Sequence, residues 1–220
     1  MKRVVEPEIL DGLAADDPAA VASRRDLRLI NRIMGNTRWL RRALMLKVRP
    51  QDLVVELGAG DGALGLSLAW DGEYTGLDLA PMPPSWPENF DWLQGDFFKP
   101  NSEASTRLQS ASVVLGGLIL HHFSDEKLRE LGQVIRGARL LIFCEPARRG
   151  FHIWQGKALR LLGINHVTRH DLPVSVRAGF LGNELAELLG LDLSDWSVRV
   201  QTTFFGAYRF VAERRSSAHE

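Results

Sequence analysis

Seven consecutive residues, Glu56-Leu57-Gly58-Ala59-Gly60-Asp61-Gly62, set three glycines at alternate positions among two carboxylates. Glycines in that pattern, after a strand and before a helix, allow a tight turn on which a ligand can lie against the backbone. Asp78 follows Gly58 by 20 residues, the place of an acid that takes ribose hydroxyls at the end of a second strand. A third acid, Asp96, follows Gly95 after another apolar run. His121 and His122 stand side by side after a fourth such run, and His170 sits in the triplet Arg169-His170-Asp171. Imidazole titrates near neutrality, so each of these histidines is a candidate general base. The adjacent pair points in two directions, so one of the two is expected to face a pocket. Arg169 and Asp171 are expected to pair and fix the chain there. The histidines lack a carboxylate at ligand spacing, and no metal site is expected.

The spacing of Gly58 to Ala63 also satisfies the G-x-G-x-x-A fingerprint of dinucleotide binding, so spacing alone leaves NAD and S-adenosylmethionine both open. Charge separates them. Residues 51–100 hold nine acids and one base, whereas residues 1–50 hold eleven bases and six acids. A diphosphate over the glycine loop would be opposed by Glu56 and Asp61. S-adenosylmethionine has no phosphate and carries an ammonium and a sulfonium, which an anionic loop attracts. An NAD(P)-dependent oxidoreductase is the second reading.

The elements that must position these groups alternate. Asp17-Pro18 reads as a cap and first helical residue, with Leu27, Ile30, Ile33 and Met34 at helical spacing and Gly35 as the stop. A second helix spans about 37–48. Strands are expected at 52–57, 74–79, 90–93, 112–120 and 139–144. Helices are expected at 63–70 and from Ser124 to Gly137, and prolines 81, 83, 84 and 87 stand where the helix after the second strand would be. Residues 150–163 are expected to be helical, and Asn183 to cap a last helix ending at Gly190. Two strands at 195–201 and 203–212 complete the chain. Alternation of this kind predicts a doubly wound α/β fold with a mostly parallel, seven-stranded sheet, an antiparallel C-terminal edge and a helical lid over residues 1–49. Residues 50–220 are expected to form a single Rossmann-like unit.

The 220 residues suit one domain with a sizeable core, and 45% hydrophobic with 25% charged residues excludes disordered and collagen-like chains. No apolar run reaches the ~18 residues of a membrane helix, and acids near the N-terminus speak against an export signal; a cytoplasmic protein is expected. The lone Cys144 excludes an intrachain disulfide. Arg24 to Arg49 holds nine bases and one acid, read as a solvated cationic face. Nucleic-acid binding is disfavoured, because only Trp39 is interleaved with these bases; a weak membrane-surface role stays open.

Taken together, E-L-G-A-G-D-G at 56–62, Asp78, Gly95-Asp96 and Leu120-His121-His122-Phe123 resemble the motifs of class I S-adenosylmethionine-dependent methyltransferases. Asp16-Asp17-Pro18 with Asn31-Arg32, and Arg169-His170-Asp171 leading to Ser175-Val176-Arg177 and Phe180, resemble a bacterial subgroup acting on small molecules. The resemblance implies that Glu56 and the loop of Gly58, Ala59, Gly60 and Gly62 hold the methionine end of the cofactor. Asp78 would take both ribose hydroxyls, with Leu79 against the adenine; Asp96 would take the adenine amino group, with Phe97 nearby. Backbone at Gly116 and Gly117 would face the cofactor ammonium. Relatives often carry Asp or Asn where Gly117 stands, which keeps alive an inactive binding protein of the same fold. The activity implied is O-methylation of a small hydrophobic hydroxylated metabolite, with His121, His122 or His170 as the base. Phe151, Ile153, Trp154, Leu159, Leu161 and Leu162 are expected to contribute to its pocket. Oligomeric state is not legible.

Overall fold

Val54–Leu57, the first strand (β1), is buried along its whole length, as a strand with a parallel neighbour on each side and helices on both faces must be. A computed structural model describes residues 1–14, 16–151 and 163–215. Seven strands form one sheet in the order β3-β2-β1-β4-β5-β7-β6. These are β2 (Tyr74–Asp78), β3 (Asp91–Gln94), β4 (Val113–Gly117), β5 (Leu140–Pro146), β6 (Trp196–Thr202) and β7 (Ala207–Arg214). β1 to β5 run parallel; β7 lies antiparallel to β5 and β6 antiparallel to β7. The strand order reverses between β1 and β4, and the crevice at their carboxyl ends is the expected ligand site of such a sheet.

Helix α1 (Pro18–Met34) starts as its residues require: Asp17 accepts hydrogen bonds from Ala19 N–H at 2.7 Å and Ala20 N–H at 3.4 Å. Gly35, at φ +67°, ends it and starts α2 (Asn36–Met45). Leu40 and Leu44 of α2 are buried with Val54, Val113, Leu115 and Ile142, so this helix supplies one wall of the core on its face of the sheet. α3 (Ala63–Ser67) lies on the same face. There the proline-rich link replaces a helix with an aromatic plug. Trp86 packs on Tyr74, Phe90 and Trp92 and donates its Nε1–H to Phe90 O at 2.9 Å. A Cβ at Gly65 or Gly76 would come within 2.8 Å of its ring.

The other face is covered by α4 (Glu103–Gln109), α5 (Asp125–Val134) and α7 (Glu184–Leu188), whose Leu108, Leu128, Leu131, Leu185 and Leu188 join the larger core. Ser124 caps α5 by accepting from Lys127 N–H at 3.3 Å, as its sequence predicts. Helix α6 (His166–Ala178) packs against α1, with Ser23 Oγ 2.9 Å from Thr168 Oγ1 and Asp26 accepting from Asn165 N–H at 2.6 Å. No helix among the described residues is long and apolar enough to cross a membrane.

Several boundaries differ from expectation. The helix after the glycine loop ends at Ser67 rather than residue 70, and α2 ends at Met45. The fourth strand stops at Gly117; Leu118 turns the chain with φ +60° and Leu120–His122 form a 3-10 turn. α4 and α6 were not anticipated: α4 is short and polar, and Pro173 inside α6 breaks the helical pattern of its residues. The expected helix at 150–163 and the stripe Ile153, Trp154, Leu159, Leu161 and Leu162 fall mainly on residues 152–162, outside the described residues.

Candidate active site

The glycine loop leaves β1 at the switch point. Gly58 N–H donates to Leu77 O at 2.8 Å, and Gly58 has φ +62°. A Cβ there would meet the Ile119 side chain at 2.9 Å, so glycine is required twice over, for conformation and for space. Gly60 N–H donates to Asp78 Oδ2 at 2.7 Å, and Ala80 N–H to Asp78 Oδ1 at 2.8 Å. Asp78 thereby ties the loop to the end of β2. Each carboxylate oxygen has a second lone pair, so the half-buried Asp78 keeps capacity for a ligand hydroxyl.

Glu56 lies beneath this loop, 5% exposed. Its Oε2 accepts from Tyr74 Oη at 2.6 Å. Burial pushes its pKa up to about 8 against the lowering hydrogen bond from Tyr74, and the carboxylates of Asp78 and Asp61 push the same way. At neutral pH Glu56 therefore holds a proton, next to two acids, in a cradle whose nearest ion pair is Arg28 Nη1 on Asp61 at 3.9 Å. That contact brings α1 over the loop.

Asp96 is exposed and accepts from Phe98 N–H at 2.8 Å; Phe97 is buried against Phe98 and Phe123. Leu79 is 72% exposed beside Asp78. At the end of β4, a Cβ on Gly116 would meet Ile119 at 2.9 Å, and one on Gly117 would meet Leu40 at 3.0 Å. Gly117 is thus the place where α2 closes onto the sheet.

The adjacent histidines have different surroundings. His121 is buried, with Nδ1 2.8 Å from Glu145 Oε2 and Nε2 3.6 Å from Glu8 Oε1. Glu145, fully buried at the end of β5, also accepts from the backbone N–H groups of Ile119, Leu120 and His121 at 3.1, 3.0 and 3.3 Å. Burial disfavours a charged imidazole, but the hydrogen bonds of Glu145 and Glu8 outweigh it and push His121 up to about 9. His121 is an imidazolium at neutral pH, with both ring nitrogens facing carboxylates. His122 packs on it, tilted by 38° with 4.2 Å between ring centroids, is half-buried, and has Nδ1 3.4 Å from Asp11 Oδ2. His170 lies away on α6, 54% exposed at its side chain, with Nδ1 2.9 Å from Asp171 Oδ1.

Asp171 does not make the expected pair with Arg169. Its carboxylate accepts the backbone N–H groups of Ile9 and Leu10 at 2.9 and 3.0 Å. Those bonds belong to a strap, residues 3–12, that runs back along α6. Arg3 Nε donates to Ala178 O at 2.8 Å, Val4 N–H to Arg177 O at 3.2 Å, and Ser175 Oγ to Glu8 Oε1. Glu8 reaches His121 and Asp11 reaches His122 from this strap. Among the described residues, Glu8, His121 and His122 also bring ligand-type atoms within 4.8 Å of one another, although no carboxylate lies at ligand spacing in sequence. The strap contacts were missed because each closes a loop of more than 100 residues with no local periodicity to announce it.

No protein-family model matches the chain, and no curated protein matches it by sequence. Solved structures do. The plantazolicin methyltransferase BamL, bound to a triazolic desmethylPZN analogue and SAH, superposes with a TM-score of 0.66 at 10% identity, over 94% of this chain and 93% of that one. The plantazolicin methyltransferase BpumL, bound to a pentazolic analogue and SAH, gives 0.66 at 12%, over 91% and 92%. A candidate O-methyltransferase from Nostoc punctiforme gives 0.54 at 16%, over 81% of this chain; the match spans 56% of that protein's length. The seven-stranded sheet and its flanking helices have the Rossmann-like fold of these methyltransferases.

Proposed function

We propose that this chain is an S-adenosylmethionine-dependent methyltransferase acting on a hydroxyl of a small hydrophobic metabolite, with Glu56, the Gly58–Gly62 loop, Asp78 and Asp96 holding the cofactor. The observation that carries this reading is a glycine loop tied through Gly60 N–H to the Asp78 carboxylate, with Asp61 within it and Glu56 buried beneath. Such a cradle repels a diphosphate and attracts an ammonium or sulfonium. S-adenosylmethionine supplies a methyl group on a sulfonium, already activated for displacement. The protein must bring the acceptor oxygen into line and exclude water, which is where most of the acceleration arises.

A hydroxyl acceptor must also lose its proton. His122 is the base in this reading, because it is half-buried with a carboxylate, Asp11, at Nδ1, whereas both ring nitrogens of His121 are taken by Glu145 and Glu8. The hydroxyl oxygen forms the new bond to carbon, the pair of the carbon–sulfur bond returns to sulfur, and the hydroxyl proton passes to His122. Support for an apolar acceptor comes from Phe204 and Phe205, 69% and 55% exposed in the β6–β7 link, with Phe151 5.7 Å from Phe204. Ala207 pairs with Pro146, the last residue of β5, so this aromatic group stands at the same end of the sheet as the glycine loop. The Leu40 contact at Gly117 weakens the case for an inactive relative, since it gives the glycine a packing cause.

Calorimetry with SAH and with NAD, followed by transfer of radiolabelled methyl to a panel of phenols, tests the reading. Micromolar SAH binding and label in at least one phenol are expected. NAD binding without SAH binding would replace it with the oxidoreductase reading.

A further inference from the structure

The two histidines share a tilted ring contact but not a partner set, and two of the carboxylates that distinguish them, Glu8 and Asp11, come from the strap. We propose that residues 3–12 complete the acceptor site, with Asp11 the positioning residue that fixes the Nδ1–H tautomer of His122 and leaves its Nε2 as the proton acceptor, while Glu8 engages the ring of His121. The inference rests on the methyltransferase reading for its chemistry, but not for its geometry.

The strap is held from three sides independently of any ligand. The Arg3 guanidinium donates to Phe123 O at 2.7 Å and to Asp125 Oδ1 at 2.6 Å, directly beyond the two histidines. Arg177 pairs with Glu6 at 2.9 Å, and Asp171 caps the start of the Leu10–Gly12 turn. These contacts place Glu8 and Asp11, three residues apart, on His121 and His122 respectively. A histidine whose Nδ1–H is held by a carboxylate has its tautomer and ring orientation set, and its second nitrogen is more basic for it. The hydrogen bond of His122 draws Asp11 below the usual carboxylate range, against its partial burial. Glu8 is also drawn down, its burial outweighed by His121 and Ser175.

The charged groups facing His122 are Asp11 and Glu8 from the strap and His121 from its own turn; Arg3 reaches the turn's backbone and is neutralised by Asp125, and Glu145 is spent on His121. Removing Asp11 therefore removes the carboxylate at Nδ1 of His122 and leaves Glu8 and His121 beside the ring, so nothing in the strap then holds the Nδ1–H form. Glu145 and Glu8 divide the labour in the opposite sense, since His121 between them has no nitrogen left to accept a proton.

The test uses the full chain. In the cofactor-free protein, the ring nitrogen shifts of His122 are read by NMR in wild type, Asp11→Asn and Asp11→Glu. Wild type and Asp11→Glu are expected to show the Nδ1–H tautomer, and Asp11→Asn a mixture of the two. With cofactor and a phenol that accepts methyl, Asp11→Asn is expected to cut kcat at least tenfold, Asp11→Glu to restore most of it, and both to leave the SAH Kd unchanged. An unchanged tautomer in Asp11→Asn, or an unchanged kcat, overturns the proposal. So does saturable binding of one equivalent of Zn²⁺ that Glu8→Gln abolishes, because His121 and His122 would then be ligands. A tautomer change in Asp11→Asn of a protein that binds no SAH would sink the methyltransferase reading and leave the Asp11 contact standing.

Discussion

Cofactor binding should expel a proton from Glu56, and the size of the effect follows from its burial. The free protein holds Glu56 at about 8, mainly through desolvation, with Asp78 and Asp61 adding to it. A cofactor ammonium about 4 Å away interacts with the carboxylate by roughly 4 kcal/mol at an effective dielectric near 20. That is about three pH units, enough to bring Glu56 down to about 5 in the complex. At pH 6 the free carboxyl is almost wholly protonated and the bound one about a tenth so, and about 0.9 proton should leave per cofactor bound. Affinity should accordingly tighten about fiftyfold from pH 5 to pH 7, a range in which an α-amino group stays charged. Calorimetry of SAH binding in buffers of different ionisation enthalpy reads the proton directly. Glu56→Gln can still accept from Tyr74 Oη, and should bind about a hundredfold more weakly at pH 7 with no proton release and no pH slope. A wild-type enthalpy independent of buffer, or an unchanged slope in Glu56→Gln, would refute the electrostatic argument for this cofactor.

The other expectations concern stability. His121 is raised from 6.5 to about 9, so its contribution is full below pH 6.5 and is lost as pH rises through 9, about 3 kcal/mol in all. Urea unfolding of wild type against His121→Gln should show the difference shrink across that window; a constant difference would mean that His121 is neutral when folded. Glu56 weakens the fold in the same direction between 4.5 and 8, which is why the comparison must be a difference between variants. Gly117→Ala should cost about 1–3 kcal/mol by driving a methyl into Leu40, and Leu40→Ala in the same chain should recover part of it, with a coupling above about 0.5 kcal/mol in thermal unfolding. Additive losses would place the cost elsewhere than in that contact.

What was legible in the sequence was what is local. Asp17-Pro18 and Gly35 bound α1 because a cap, a fixed φ and a left-handed stop each act within one turn. β1, β2 and the loop between β1 and α3 were legible because buried parallel strands are continuous apolar runs, and Glu56 stood out by interrupting one. Asp78 was placed correctly at its strand end, although its two backbone partners at Gly60 and Ala80 were not foreseen. α6 was hidden by Pro173, since the one residue that argues most strongly against a helix sits in the middle of this one. Its neighbours override that cost: Val167 and Val174 are buried, and Asp171 and Ser175 on the same helix hold the strap.

The charge asymmetry shows how far composition reaches and where geometry takes over. The acid-rich stretch 51–100 does supply the cradle of Glu56, Asp61 and Asp78, and the basic α1 does lie over it through Arg28. Net charge could not show that a second acidic cluster, Glu8, Asp11 and Glu145, assembles around the histidines from segments whose overall balance is positive. Those three acids are scattered across more than 130 residues, and only the fold makes them neighbours. Two adjacent identical side chains thereby acquire different surroundings. His121 is enclosed by two carboxylates, while His122 has one carboxylate at Nδ1. In the proposed reading, chemistry at that turn depends on what residues 3–12 bring to it, and a strap with almost no secondary structure is held there by Arg3 at one end and Asp171 at the other.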